Sequence, residues 1–449
     1  MTKNRRKLLI FCASILLILT GIWNGFPFLY PDDGTYFSSG FMPEMPLDRP
    51  ITYELFIFAT SFGGLSLWLT IGVQALITSW VIYQVLKSYF RLQNIDLQFF
   101  ILIVFLLLTS SISFLTSQLL PDFSTPILLL SQLILITNTP LSKRERQGLF
   151  AIYFLTTAMH IGHLVFNLLL LTLFFGLFFL AKSKLPFLKL KTILGLLALT
   201  LLSLASMSVP LTKSSHAFRM GGMAHKGILN KVLDAKCAEK NWQLCQYRDS
   251  MPTSLEGFLW SINSPLHKIG LIKSKKEFND IIWTSYSTPN LLKLHIEESI
   301  KATKKQFIYY SVCEGNAPFK KGSIVYDEIE KVCPSAIPKF LQSRQANDAI
   351  EKDVNRFNYF LKYFVIVLFI SCFALLFNKA LWSEAHKKLR FFLSFVLIGL
   401  FLNAWLNATL VYASNRFGTK MIWLIHVSFF LIVMVLYDRK NKNANLAQS

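Results

Sequence analysis

Long apolar runs separated by short charged clusters are the feature that most restricts how this chain can fold. The first run covers residues 8–29 and directly follows a basic N-terminus. A helix of about 20 apolar residues spans the roughly 30 Å hydrocarbon layer of a bilayer. Because 53% of the 449 residues are hydrophobic, we predict an all-α polytopic membrane protein rather than a soluble one.

The charged clusters predict the topology, because Lys and Arg concentrate in cytoplasmic loops. Assigning each cluster to a side gives about ten transmembrane helices, with both termini in the cytoplasm of a bacterial inner membrane. The first helix lacks a small-residue cleavage site and is expected to be retained. Helices 5 and 6 meet near residue 160, and the other predicted helices cover 8–29, 65–84, 97–118, 126–138, 192–209, 357–378, 391–412 and 421–437.

Two features interrupt this regular pattern. Residues 54–84 are too long for one span and contain Gly63 and Gly64, so a short interfacial helix is expected before the glycine pair. Residues 211–356 are polar, which predicts an extracytoplasmic domain, α-rich or α+β, inserted between helices 7 and 8.

The predicted organisation therefore has four parts. Residues 1–210 hold helices 1 to 7 and an acidic outer loop at 30–53, and the domain 211–356 follows. Residues 357–437 hold helices 8 to 10, and 438–449 form a cytoplasmic tail. The net charge of +21 comes mainly from short loops at helix ends. This distribution predicts contact with the lipid bilayer and argues against a nucleic-acid partner.

Cysteines support an oxidising location for the polar domain, because disulfides persist only in such compartments. Four of the six cysteines lie in that domain: Cys237, Cys245, Cys313 and Cys333. The simplest pairing joins Cys237 to Cys245 and Cys313 to Cys333, although other connectivities are open. Zinc binding is the alternative, but the spacing lacks paired C-x-x-C motifs.

Polar side chains at the outer helix ends form the candidate site. Asp32 and Asp33 are the candidate catalytic residues, because a carboxylate can act as a general base toward a hydroxyl or hold a divalent cation. No metal ligands are assigned, and a solvated acidic loop is the alternative. Arginines there can bind a lipid-linked phosphate or simply anchor to headgroups. The candidate substrate-binding residues are Tyr36, Arg49, Tyr53, Asp122, His160, His163, Arg219 and Arg416.

Some of these residues have a plain structural alternative. Asp122 is also a natural cap for helix 4, and the pair His160 and His163 is also typical of hydrogen-bonded histidines at a helix end.

An acidic loop that follows helix 1 and precedes an interfacial helix resembles the C superfamily (GT-C type) of membrane glycosyltransferases. Asp32, Asp33 and Tyr36 carry this resemblance, which covers roughly the first 120 residues. It implies that the loop acid is a catalytic base or positions the acceptor, and that the donor is a sugar linked to polyprenyl phosphate. Basic residues would then contact the phosphate, and the acceptor would be a cell-envelope glycan or lipid. The polar domain departs from many members, whose soluble domain is C-terminal.

A second resemblance runs along nearly the whole chain, to a group of bacterial multi-pass membrane proteins. It implies a shared architecture and no particular activity. Its motifs are Arg49-Pro50-Ile51-Thr52-Tyr53, Leu120-Pro121-Asp122, Leu-Trp-Ser-Ile-Asn-Ser-Pro-Leu at 259–266, and Ser343-Arg344-Gln345. Two other functions therefore stay open beside glycosyl transfer: a transporter or flippase of a lipid-linked substrate, and a non-catalytic receptor or assembly protein.

Overall fold

The computed structural model describes residues 3–42, 45–89, 94–137, 139–383 and 386–448. Within these ranges the chain is helical and contains no β-strand, and one isolated bridge pairs Phe28 with Gln118. Within the described residues the polar segment is therefore helical, as the α-rich alternative predicted, and it contains no strand.

The helices up to the polar segment are α1 (Lys3–Leu17), α2 (Leu19–Asn24), α3 (Asp33–Phe41), α4 (Thr52–Thr60), α5 (Leu67–Tyr89), α6 (Ile95–Thr109), α7 (Ile112–Thr116), α8 (Ser124–Ile136), α9 (Lys143–Ala158), α10 (Ile161–Leu180), α11 (Leu190–Leu202) and α12 (Leu204–Lys213). The remaining helices are α13 (Ser215–His225), α14 (Ile228–Lys236), α15 (Leu255–Trp260), α16 (Pro265–Ile269), α17 (Lys275–Ser287), α18 (Pro289–Gln306), α19 (Ile324–Val332), α20 (Ile337–Leu341), α21 (Ile350–Leu376), α22 (Lys387–Leu410) and α23 (Asn415–Gln448).

Six helical stretches in the described ranges are long and apolar enough to cross a membrane: α1 with α2, α5, α10, α21, α22 and α23. A seventh is α11 with α12, if the 49° bend between them interrupts one span. The chain is thus a multi-pass α-helical membrane protein. The count of ten spans is not confirmed, because the helices at predicted positions 3, 4 and 5 are shorter: α6 has 15 residues, α8 has 13 and α9 has 16. Residue 138, the predicted end of helix 4, lies outside the described residues.

The first membrane helix ends earlier than predicted. Helix α2 ends at Asn24, and Gly25 follows with φ of 87° in the left-handed region, which glycine adopts without a Cβ clash. The next residues are extended, and the N–H of Phe28 donates to the carbonyl of Ser117 at 2.9 Å. The predicted end at residue 29 was wrong because an apolar run does not reveal where backbone pairing replaces the helix.

The predicted break at the glycine pair is confirmed. Phe62, Gly63 and Gly64 all have positive φ, and they separate α4 from α5. The Ser61 hydroxyl accepts a hydrogen bond from the N–H of Gly64 at 3.0 Å. Gly64 also lies so close to the carbonyl of Val332 that a Cβ atom would clash. This turn folds α4 back against α5 and α3.

Apolar residues pack into two separate cores. The larger core joins the membrane helices and also contains Tyr310, Ile329 and Phe340 from the polar segment. The smaller core lies within residues 217–291, around side chains such as Phe258 and Phe278. The polar segment 211–356 therefore contributes to two cores rather than forming one.

The disulfide prediction is met in one of its two pairs. Cys237 and Cys245 are bonded, with an S–S distance of 2.02 Å. Cys313 and Cys333 do not form the second bond, and both are free thiols. Both pack on the larger core, but Cys313 follows Val312, which bonds to Asn358 of α21, whereas Cys333 follows α19.

Candidate functional site

Two adjacent aspartates begin α3, and their surroundings differ. Asp32 precedes the helix and Asp33 is its first residue, where the helix dipole favours a carboxylate. The Asp33 side chain is buried, and its Oδ2 accepts a hydrogen bond from the N–H of Tyr30 at 2.8 Å while Oδ1 has no partner. Asp32 keeps 28% of its side chain exposed. Only Asp32 can therefore meet a ligand without displacing neighbours.

Two arginines hold the Asp32 carboxylate. The Arg416 Nη1 donates to Oδ2 at 2.9 Å, and the Arg49 Nη2 lies 3.5 Å from Oδ1. Arg49 also donates to the Asp32 carbonyl at 3.1 Å and contacts Asp48 Oδ2 at 2.7 Å. The loop after α2 is thereby tied to the start of α23, nearly 400 residues away in sequence.

Asp122 lies behind this pair and is almost completely buried, at 3% exposure. Its Oδ2 accepts a hydrogen bond from the Arg416 Nε at 2.5 Å, and its Oδ1 one from the Lys420 Nζ at 3.3 Å. Arg416 and Lys420 reach one carboxylate because residues four apart share a helix face. We call the connected residues the charge cluster: Asp32, Asp48, Arg49, Asp122, Arg416 and Lys420.

Aromatic rings support the two arginines of the charge cluster. The Arg416 guanidinium lies 4.4 Å from the Tyr30 ring centroid, and that of Arg49 lies 4.8 Å from the Tyr36 ring centroid. Such cation–π contacts fix the position of a guanidinium while leaving its edges free to donate hydrogen bonds. Tyr53 packs edge-on against Tyr36, and its hydroxyl donates to Gln74 Oε1 at 2.8 Å. Tyr53 therefore positions the site rather than contacting a ligand.

The pKa values of the loop carboxyls separate them further. Burial raises the pKa of Asp32, but the charges of Arg49 and Arg416 outweigh it, so the net pKa lies below its ordinary value. Burial raises the pKa of Asp33 well above the usual range, and it raises that of Glu54 on α4 to about 9. Asp32 is thus the anionic member, while burial favours the protonated forms of the other two.

Both predicted histidines act in the fold. The His160 Nδ1 caps α10 by accepting a hydrogen bond from the N–H of Gly162 at 3.0 Å. The ring of His163 is buried, with Nε2 at 2.7 Å from the Thr125 hydroxyl and Nδ1 at 2.7 Å from the Thr156 carbonyl. Because both nitrogens of His163 are engaged, it cannot orient an acceptor as predicted. The helix-end alternative describes both residues better.

Arg219 does not join the charge cluster. It is exposed on α13, beside the smaller core, whereas the charge cluster lies against the membrane helices. The structure therefore does not bring Arg219 together with Arg416, because charge and loop position alone do not fix which core a helix belongs to.

The sequence interpretation missed several residues that complete the site. Lys420 could have been found, because a lysine one turn after Arg416 at the start of an apolar helix is costly unless paired. Glu314 carries no such signal. Its carboxylate accepts hydrogen bonds from the N–H of Arg416 at 2.9 Å and the hydroxyl of Ser414 at 2.7 Å, which fixes the start of α23.

The second half of the polar segment also holds the loop after α2. The Gln345 side chain accepts from the N–H of Leu29 at 2.9 Å and donates to its carbonyl at 2.8 Å, and Asn316 donates to the same carbonyl. Helix α19 packs on α3, where Gly34 lies against Ile324 so closely that a Cβ would clash. These contacts hold the loop that carries Asp32 on both sides, at Leu29 and at Gly34.

The charge cluster does not fit the divalent cation considered from the sequence. Its carboxylates already face guanidinium and ammonium groups, with three acids balanced by three bases. Across the described ranges, no group of three or more His, Cys, Asp or Glu side chains is arranged to hold a metal ion.

Comparison with known proteins identifies no relative: no family model, no curated protein and no solved structure matches the chain.

Proposed function

We propose that the protein is a membrane glycosyltransferase that uses a sugar linked to polyprenyl phosphate as donor. The observation that carries the proposal is the partly exposed Asp32 carboxylate, held between Arg49 and Arg416 in the loop after the first membrane helix. A carboxylate that can act as a base and two guanidiniums that can bind a phosphate at one site support this proposal. The resemblance of the loop to the C superfamily supports the same assignment.

In the proposed reaction, the oxygen of an acceptor hydroxyl attacks the anomeric carbon of the donor sugar. A glycosidic bond forms as the bond from that carbon to the phosphate oxygen breaks, and the electron pair leaves with polyprenyl phosphate. The hydroxyl proton passes to Asp32, which later releases it to water. Arg49 and Arg416 stabilise the phosphate charge that develops as the bond breaks.

The arginines couple donor binding to the strength of the base. In the structure both guanidiniums contact Asp32, so an incoming phosphate competes with this carboxylate for them. Losing a guanidinium partner raises the proton affinity of a carboxylate. Asp32 therefore becomes the stronger base only when a donor is in place, while the buried Asp122 keeps Arg416 at the site.

The proposal includes the predicted topology. The shorter helices α6, α8 and α9 complete ten spans in a bacterial inner membrane, with both termini cytoplasmic and the polar segment outside. Helix α19 and Gln345 then cover the loop from the outside and select a cell-envelope glycan or lipid as acceptor.

The test compares cells that lack the protein with cells that produce Asp32→Asn or the unchanged chain. We expect the deletion and Asp32→Asn to lose the same sugar from an envelope glycan or lipid, and to accumulate its polyprenyl-phosphate precursor, as measured by mass spectrometry. The matched control is Glu239→Gln, which removes an acid from an exposed ion pair with Lys236. If Asp32→Asn restored the full envelope profile in cells that lack the protein, the proposal would be refuted.

A second candidate is a non-catalytic receptor or assembly protein. The balanced charges of the charge cluster favour it, because the same contacts could simply lock the loop to α23. On that alternative, Asp32→Asn changes stability without changing any envelope component, which the same experiment detects.

A further inference from the structure

Helix α18 carries an apolar stripe that the protein leaves uncovered. Leu292, Ile296 and Ile300 follow at intervals of four residues and therefore share one face of the helix. Their exposures are 39%, 53% and 51%, and Ile308, two residues beyond the helix, is 49% exposed. Aligned, exposed isoleucines of this kind indicate a contact surface rather than scattered surface residues.

The position of α18 relates the stripe to the membrane. The hydroxyl of Ser299 is hydrogen-bonded to that of Thr409 at 2.5 Å, near the end of α22. The ring of Phe307 lies 6.1 Å from that of Phe401. From the first contact to the second, the chain advances eight residues along α18 and goes back eight residues along α22, which is about 12 Å of helix. Helix α18 therefore packs lengthwise beside the last two turns of α22.

The neighbouring surface of α22 faces lipid. Helix α22 is one of the candidate spans, and Phe401 and Leu410 are 49% and 41% exposed on it. A span of about 30 Å that begins at the basic residues around Lys387 ends within these last turns of α22. Ile300 therefore lies at the depth of the boundary between acyl chains and headgroups, and Ile308, which follows Phe307 beside Phe401, lies deeper among the acyl chains.

Lysines accompany the stripe on the same helix. Lys301 is exposed and paired with Glu298 at 2.7 Å, and Lys304 and Lys305 are also exposed. A helix with an apolar stripe and lysines beside it is typical of segments that lie at a bilayer surface, where the lysines meet anionic phosphates.

We propose that α18 is a lipid-binding helix, seated in the membrane leaflet at the C-terminal end of α22. Its isoleucines enter the acyl region, and its lysines extend their long side chains to the phosphates of anionic phospholipids at the surface. The polar segment is thus anchored to the bilayer at α18 as well as tethered through α12 and α21. This inference is independent of the proposed enzymatic function.

The test places a fluorescent label at residue 300. The variant Ile300→Cys, in a chain whose four free cysteines are replaced by alanine, is labelled with bimane and reconstituted in vesicles of phosphatidylcholine and phosphatidylglycerol. With brominated acyl chains, we expect about a twofold loss of emission, because a helix seated in the interface brings the label against the bromine atoms. Since residue 300 is exposed, the label does not disturb the core.

The control is Ile262→Cys, prepared in the same way. Ile262 is 81% exposed but lies between α15 and α16, beside the smaller core, so we expect its label to keep its emission. Equal emission from brominated and ordinary lipid at residue 300 would overturn the proposal. Replacing phosphatidylglycerol by phosphatidylcholine should weaken the quenching, and unchanged quenching would refute the role of the lysines.

Discussion

The polar segment between α12 and α21 contains two regions that look alike in sequence and differ in structure. Residues 217–291 enclose the smaller core, and most of the ion pairs there are exposed, such as Lys240 with Asp280. Residues 308–349 have no core of their own and pack onto the membrane helices. Side chains of the second region, Glu314 and Gln345 among them, organise the loop that carries Asp32.

This difference indicates where chemistry can be held in place. Exposed ion pairs contribute little to stability, because water competes for both partners. The buried pairs around Asp122 fix positions, because removal of one partner leaves a buried charge without compensation. We therefore expect the first region to tolerate charge changes and the region around the charge cluster to resist them.

Asp122→Asn tests the buried charges of the charge cluster most directly. Because Arg416 and Lys420 then lose their shared counterion while remaining buried, we expect a loss of about 3–5 kcal/mol in unfolding free energy. Hydrogen exchange of the purified protein in detergent should show faster exchange in α23 and α8, with residues 217–291 unaffected. The control Glu239→Gln should change stability by less than about 1 kcal/mol. A small effect of Asp122→Asn would mean that the charge cluster is solvated.

The next effect concerns Glu54, whose side chain is buried without a hydrogen-bond partner. Its pKa of about 9 lies above its ordinary value of about 4.5, so the folded protein keeps a proton that the unfolded chain loses. Between these values stability falls by about 1.4 kcal/mol per pH unit. Glu54→Gln removes this dependence, and it should stabilise the protein by about 3 kcal/mol at pH 7.

Denaturation in detergent at several pH values measures this effect. The advantage of Glu54→Gln over the unchanged chain should grow from pH 5 to pH 9. Glu297→Gln is the control, because this carboxylate is 49% exposed beside Lys293 and its replacement should change stability by less than about 1 kcal/mol. A constant advantage of Glu54→Gln would show that Glu54 is ionised in the folded protein.

Sequence patterns predicted local features well. The apolar runs indicated the six helical stretches long enough to span a membrane, and the glycine pair located the break before α5. The helix α3 lies within the segment predicted as an outer loop and was not foreseen. Helix ends were less accurate, because Gly25 ends the first helix inside an apolar run. Lys420 was within reach of the sequence, since its spacing from Arg416 places both on one face of α23.

Long-range contacts were beyond local patterns. The bond from Gln345 to Leu29 joins residues more than 300 positions apart, and nothing in either neighbourhood indicates the other. The same limit explains Arg219, whose surroundings depend on which core its helix joins. It also explains Cys313 and Cys333, which pack on the same core without bonding to each other. The division of one polar segment between two cores is a tertiary property, and single-sequence composition does not contain it.

The smallest of these effects tests whether the first region is an independent unit. Cys237 and Cys245 close a short loop beside the smaller core, and replacing both by serine should cost about 2.5 kcal/mol, as expected for a loop of this length. If the regions are separate, hydrogen exchange should accelerate within residues 217–291 and stay unchanged in α19 and α23. Cys313→Ser, at a free thiol, is the control for the chemical change alone. Faster exchange around Asp32 in the double variant would contradict the separation, because it would show that the smaller core supports the charge cluster from a distance.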